Sequence, residues 1–286
     1  MNSKNHYLDI FNVTETGLKE ITAKALSRGG DFADLYFEYT TFFNLNLKDG
    51  VVSSGGFHTD YGVGIRVLKG EKTGYAYSEN LDMREMLKAA DAASAIAQAG
   101  GSSLPYRAGT ACAPDLYPMQ QNWREQGADT FLPFLQELEK KIFSRDSRIV
   151  KVVIRLSDSV TDVMMYNSLG ELTCDTRPVA SISATAVFQQ DGKTENKSAA
   201  RSFRTGAELI GPALMDEIVD DITSGIDQRF EATRPKGGQM SVVMGAGASG
   251  ILLHEAMGHA FEADFNRKGQ SVFADKMGTQ VCPKGV

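Results

Sequence analysis

Apolar positions follow helical spacing in some stretches of this chain and β-rich text in others, and the switches between the two divide it into elements. From Thr14 to Ser27, Leu18, Ile21, Ala25 and Leu26 recur three or four residues apart, the spacing that lines one face of a helix, and Gly29-Gly30 supplies a stop. Residues 32 to 79 then run through FADLYFEYTT, FNLNLKDGVVSSG, YGVGIRVLKG and KTGYAYS, with Asp49-Gly50 as a hairpin signal, so four antiparallel strands are expected. A second helix is predicted from Asp82, with Glu85 three residues on as a capping box, through an alanine-rich stretch to Gly100-Gly101. Pro105, Pro114, Pro118 and the only tryptophan, Trp123, mark residues 102–127 as an irregular linker.

After the linker the same order starts again. Phe131, Leu135, Leu138 and Ile142 share one helix face. IVKVVIRLSDS, DVMMYNSLGELTCDT, ASISATAVFQQDG and KTENKSAARSF would be four more strands, and a helix follows from about Ala207 to Arg229. The fold expected is α+β, with two tandem α-β4-α units and antiparallel sheets, at 14–101 and 128–230. The competing reading is two unrelated α+β segments that share common hairpins. At Pro235–Gly238 the composition shifts. QMSVVM then predicts a short buried strand leading into MGAGASG, and a helix from about Ile251 carries ILLHEAMGHAFEADF. Residues 1–235 are therefore taken as an N-terminal region and 236–286 as the start of a β-rich catalytic domain. Lys284-Gly285-Val286 offers no cap and no closing element, so this domain is expected to continue beyond Val286.

Composition changes this picture only at its edges. With 42% hydrophobic and 23% charged residues over 286 positions, core size is no obstacle to one large or two small domains. A net charge of −6 offers no basic footprint for a nucleic-acid backbone. The N-terminal MNSKNHYLDIF has no apolar run for a signal segment or membrane span, so a cytoplasmic protein is expected. Cys112, Cys174 and Cys282, odd in number and widely spaced, suit reduced thiols better than a disulfide framework.

The candidate chemistry lies at His254, Glu255 and His259. Zinc peptidases need neutral imidazoles as ligands, an open position for water, and a carboxylate that takes the proton as that water attacks a carbonyl. Histidines four apart on a helix differ by about 40° around its axis, but these are five apart, about 140° in a regular α-helix. A single-turn π-bulge would bring the rings back to one face, and Gly258 is the residue expected to absorb the distortion. The bland alternative is a chance pair among four histidines. Against it stand the Glu directly after the first His and the Gly where the bulge needs it.

A catalytic zinc usually takes three protein ligands, so a third is required. Glu262, three residues after His259, is open to three roles: direct ligand, hydrogen-bond partner of a ligand, or solvated helix surface. Asp264 is the other nearby carboxylate. Cys282 has no spacing argument behind it, and His6 and His58 are expected to be ordinary surface residues. Gly245, Gly247 and Gly250 form a G-x-G-x-x-G after a predicted strand, the position of a dinucleotide fingerprint. Against that reading, the helix that follows carries His, Glu and His, and no further βαβ strand comes after it. A tight turn leading into the metal helix is the preferred role.

The stretch GILLHEAMGHAFEADFNRKGQSVFADKMGTQ, residues 250–280, resembles the signature region of the TldD/PmbA peptidases, once called modulators of DNA gyrase, and of their TldD branch in particular. GGDFADLYFEY and KDGVVSSGGFHTDYGVGIRVLKGEKTGYAYS are similar to that family too, so the resemblance spans essentially the whole chain. It implies a zinc metallopeptidase that degrades or trims unfolded peptides, with His254 and His259 as ligands and Glu255 as base. It also implies a third ligand, a cysteine in the C-terminal part of the family's chains, and pairing with a family member that lacks the metal motif. Two rivals stand beside it: a noncatalytic peptide- or partner-binding subunit with a structural or vestigial metal site, and the dinucleotide-binding enzyme.

Overall fold

The computed structural model describes residues 4–95 and 116–284. Gly100-Gly101, Cys112 and most of the predicted linker, Pro105 and Pro114 included, lie outside the described residues. The chain divides into two compact units, Met1–Ala232 and Thr233–Val286.

In the first unit, helix α1 (Lys4–Ile10) precedes α2 (Glu15–Leu26), whose start is capped by Thr14: its Oγ1 accepts the Gly17 N–H at 3.0 Å. Strands β1 (Phe32–Lys48) and β2 (Val51–Lys69) follow, joined through Asp49 and Gly50 with φ of 52° and 79°, the paired positive values of a tight hairpin. After β3 (Lys72–Ser78) comes α3 (Met83–Ser94). Asp82 precedes it without a side-chain cap, and the Glu85 carboxylate bonds Lys88 and Arg84 instead, so the predicted capping box does not form.

A 3-10 turn at Trp123–Glu125 leads into α4 (Ala128–Arg145), which buries Phe131, Leu135, Leu138 and Ile142 as its spacing predicts. Strands β4 (Ile149–Asn167), β5 (Leu172–Gln190) and β6 (Lys193–Phe203) complete the sheet. The single helix predicted from Ala207 to Arg229 is broken into a 3-10 turn, α5 (Pro212–Thr223) and α6 (Ile226–Glu231), because Pro212 opens a new helix and Gly225, at φ 64°, separates the last two.

The fold is α+β with antiparallel strands, but among the described residues each half supplies three strands rather than four, and these six belong to one sheet in the order β3-β2-β1-β4-β5-β6. The expected breaks inside β1 and β4 do not occur. In β1, Ala33, Leu35, Phe37, Leu45 and Leu47 stay buried on one side across the polar Thr40-Thr41, and Thr40 meets Thr161 of β4 through a hydroxyl bond of 2.9 Å on the other side. In the second half the turn falls at Ser168–Gly170, inside what looked like one strand. The halves repeat at a fixed interval: β5 and β6 begin at 172 and 193, each 121 positions after β2 at 51 and β3 at 72. The central pair obeys the same interval, since Thr40 faces Thr161.

Helices cover one side of this sheet and bury two hydrophobic clusters. One holds Leu18, Ile21, Leu35, Phe37, Ile65 and Met86, and the other Leu47, Trp123, Phe131, Leu135, Ile154 and Phe188. Trp123, placed in the linker by its prolines, is 1% exposed in the second cluster, with its indole N–H bonded to the Thr205 carbonyl at 2.7 Å.

Between the clusters runs a polar seam. Arg124 pairs with Asp162, which is fully buried, and donates to the Val160 carbonyl (2.8 Å) and the Thr41 hydroxyl (3.1 Å). Asp162 also accepts the Thr176 hydroxyl (2.6 Å), which bonds Tyr7 (2.8 Å). His58 lies exposed on β2, stacked on Phe42, while His6 is half-buried on α1 rather than on the open surface.

The second unit contains α7 (Ser249–Leu253), a π turn at His254–Gly258, a 3-10 turn at His259–Phe261 and α8 (Ala263–Arg267). No strand is found among its described residues, so neither the strand at QMSVVM nor the β-rich start is seen there; Val243 is 95% exposed. A strand exists only with a neighbour to take its backbone groups, and this segment has none here. No helix among the described residues is long and apolar enough to cross a membrane.

Candidate metal centre

The segment leading to the site is a glycine-rich turn. The Gly250 N–H reaches the Gly247 carbonyl at 2.9 Å and the Ser249 hydroxyl bonds back to Gly245, which launches α7. No strand precedes this turn, and α7 is only five residues long before the helix widens, so the setting a dinucleotide fingerprint requires is missing.

At His254–Gly258 the helix adopts the π form, in which the His259 N–H bonds the His254 carbonyl five residues back. The extra residue between the histidines is taken up in that turn. As a result the rings lie 4.6 Å apart, centroid to centroid, and the ligand atoms of His254, Glu255 and His259 fall within 4.8 Å of one another. Gly258 contributes differently from expectation. Its φ of −58° is ordinary helical backbone, but a Cβ there would sit 3.1 Å from His254 Nδ1. What glycine supplies here is room beside the ring rather than conformational freedom, since a methyl would make the His254 ring give by a few tenths of an ångström.

The helix ends at Glu262, whose backbone is extended, and Glu262 Oε1 lies 2.6 Å from His259 Nδ1. Glu255 Oε2 stands 3.4 Å from the other nitrogen, Nε2. The two carboxylates, Glu262 first, raise the His259 pKa by stabilising its charged form. Asp264, at the start of α8, is not part of the group. Cys282 is half-buried and likewise outside it.

The donor set fits a metal ion. A tetrahedral zinc holds two imidazole nitrogens roughly 3.3 Å apart at bonds of about 2.0 Å, within reach of small ring rotations from a cluster this tight. All three residues are exposed, which leaves room for a water or a substrate oxygen.

Three family models cover most of the chain: PmbA/TldA metallopeptidase domain 1 at residues 33–97, the central domain at 122–229 and the C-terminal domain at 237–286. A metalloprotease TldD homolog of Haemophilus influenzae is 33% identical over 270 residues, covering 89% of this chain and 54% of that protein. A TldD homolog of Buchnera aphidicola from Acyrthosiphon pisum is 28% identical over 93% of this chain and 56% of its own length. The chain thus spans about half the length of the curated relatives it matches. Among solved structures, a protein of Bacteroides thetaiotaomicron named as a modulator of DNA gyrase superposes with a TM-score of 0.65 at 15% identity, covering 93% of this chain and 61% of that one. TldE of Thermococcus kodakarensis does so at 0.56 and 13% identity, over 74% and 47%. At such identities the structural likeness speaks for the fold.

Proposed function

The chain belongs to the PmbA/TldA metallopeptidase family, and from that premise we propose that it carries the metal helix of a zinc-dependent peptidase acting on unfolded or extended peptides. The observation that carries the reading is the π turn, which gathers His254, Glu255 and His259 where a regular helix would splay them.

In this reading His254 and His259 hold the zinc. When bound, the ion supplies Lewis acidity, lowering the pKa of a water and polarising the scissile carbonyl. Glu255 accepts the proton as the water attacks and returns it to the leaving amine. Two imidazoles leave a catalytic zinc one protein ligand short, and the cysteine implied for the C-terminal part of the family's chains is the proposed third. Cytoplasmic location and pairing with a family member lacking the metal motif complete the proposal.

Replacement Glu255→Gln tests it, because the amide keeps the shape but takes no proton. In a chain that also carries the proposed cysteine ligand, zinc affinity, measured by chelator competition, should stay close to that of the parent, while hydrolysis of a disordered peptide falls by about 10²–10⁴; the 286 residues alone should show no hydrolysis. Near-normal turnover would overturn the assignment. A closed four-ligand sphere without exchangeable water would favour the noncatalytic, structural-metal alternative.

A further inference from the structure

We infer that Glu262 is a positioning residue for the metal ligand His259: it holds Nδ1 and thereby presents Nε2 to the ion. The inference rests on the reading of His254 and His259 as ligands, and it decides among the three roles that spacing alone leaves open to Glu262.

A neutral imidazole carries one N–H and one lone pair, so whatever accepts a hydrogen bond from one nitrogen leaves the other free to coordinate. Glu262 Oε1 takes the Nδ1 side at 2.6 Å. The Nε2 side of the same ring faces Glu255, 3.4 Å away, in the group where the His254 donor also lies. Glu262 is absent from that group of converging donors, although it touches one of its members. A ligand would have to turn away from Nδ1 to reach the ion, whereas a positioning carboxylate is already in place.

The carboxylate is set on a braced turn. The Glu262 N–H bonds the His259 carbonyl at 3.3 Å, tying it to the residue whose ring it holds. Its carbonyl accepts from the Asn266 side chain (2.9 Å) and backbone N–H (3.1 Å). Asn266 Nδ2 also reaches the Ala260 carbonyl at 3.0 Å, and the Ser271 hydroxyl joins it there at 2.5 Å. Phe261 and Phe273 stack at 4.6 Å across the same turn. Partners that orient ligating histidines in this way typically contribute about 10–100-fold in metal affinity.

The test is zinc affinity by chelator competition, with zinc alone as probe, together with the visible spectrum of the cobalt-substituted protein. Glu262→Ala should lose about 10–100-fold in affinity. Glu262→Gln, whose amide oxygen still accepts from Nδ1–H, should recover most of that loss and leave the cobalt spectrum unchanged. His259→Ala should abolish binding at the site. A Glu262→Gln loss as deep as that of His259→Ala, with an altered cobalt spectrum, would make Glu262 a ligand and overturn the inference. So would undiminished affinity in Glu262→Ala. Equal zinc binding by the parent and His259→Ala would instead sink the metal-site reading beneath it, an outcome the histidine variant alone reveals.

Discussion

Asp158 gives the fold a titration that can be read directly. It lies on β4 among the helix-facing Ile154, Leu156 and Val160, is 8% exposed, and its Oδ2 is buried without a hydrogen-bond partner. Burial lifts its pKa from 3.8 to about 7. The folded state therefore holds this proton more tightly than the unfolded chain, so stability falls as pH rises from about 4 to about 7 and levels off beyond. At about 1.4 kcal/mol per tenfold, the full loss is at most about 4 kcal/mol, and local relaxation and water entry reduce it. Asp158→Asn removes the titration while keeping the shape. Relative to the parent, the variant should gain about 1–3 kcal/mol between about pH 5 and about pH 8, a further Tm advantage of about 2–9 °C in a unit of this size. Urea unfolding of both proteins across this range measures the difference, and contributions from other titrating groups cancel in the comparison. Parallel pH profiles would refute the reasoning.

Two further outcomes follow from packing. Gly258→Ala should raise helix propensity by about 1 kcal/mol yet weaken zinc binding, roughly tenfold, because the new methyl meets His254 Nδ1 at 3.1 Å; chelator competition alongside circular dichroism separates the two effects, and unchanged affinity would count against the crowding argument. Arg124→Met strands the buried Asp162 carboxylate and should cost about 3–5 kcal/mol by urea denaturation, with Asp162→Leu in the same chain recovering much of the loss; a deficit below about 1 kcal/mol would mean that Arg124 does not sustain the seam.

What the sequence makes legible is local. The face of α4, the hairpin at Asp49-Gly50 and the π turn all follow from spacing, because each is decided by neighbours within a few residues. Strand length was not legible. The strand ends expected after Thr41 and before Asp162 are not ends: Thr40 and Thr161, 121 positions apart, face each other at the centre of the sheet and share a hydroxyl bond. Trp123 was hidden for the same reason, since its partners Phe131 and Phe203 lie on elements its proline-rich surroundings do not announce. At the site, Glu262 was found by its i+3 spacing, but its role depends on which nitrogen it meets, and that is a matter of ring orientation.

The 121-residue interval has a consequence at the middle of the sheet. It relates the halves by an approximate rotation about the Thr40–Thr161 pair, and this carries Thr41 onto Asp162. Were the halves separate, identical molecules, both positions would hold the same residue, and an aspartate at one would force a second aspartate beside it with like charges confined near the axis. Joined in one polypeptide, they are free to differ: a hydroxyl on one side, a carboxylate on the other, and a single guanidinium, from Arg124, reaching both. Fusion thus lets a symmetric scaffold hold an odd charge at its own dyad, an arrangement no homodimer of the half-unit could adopt without breaking its symmetry.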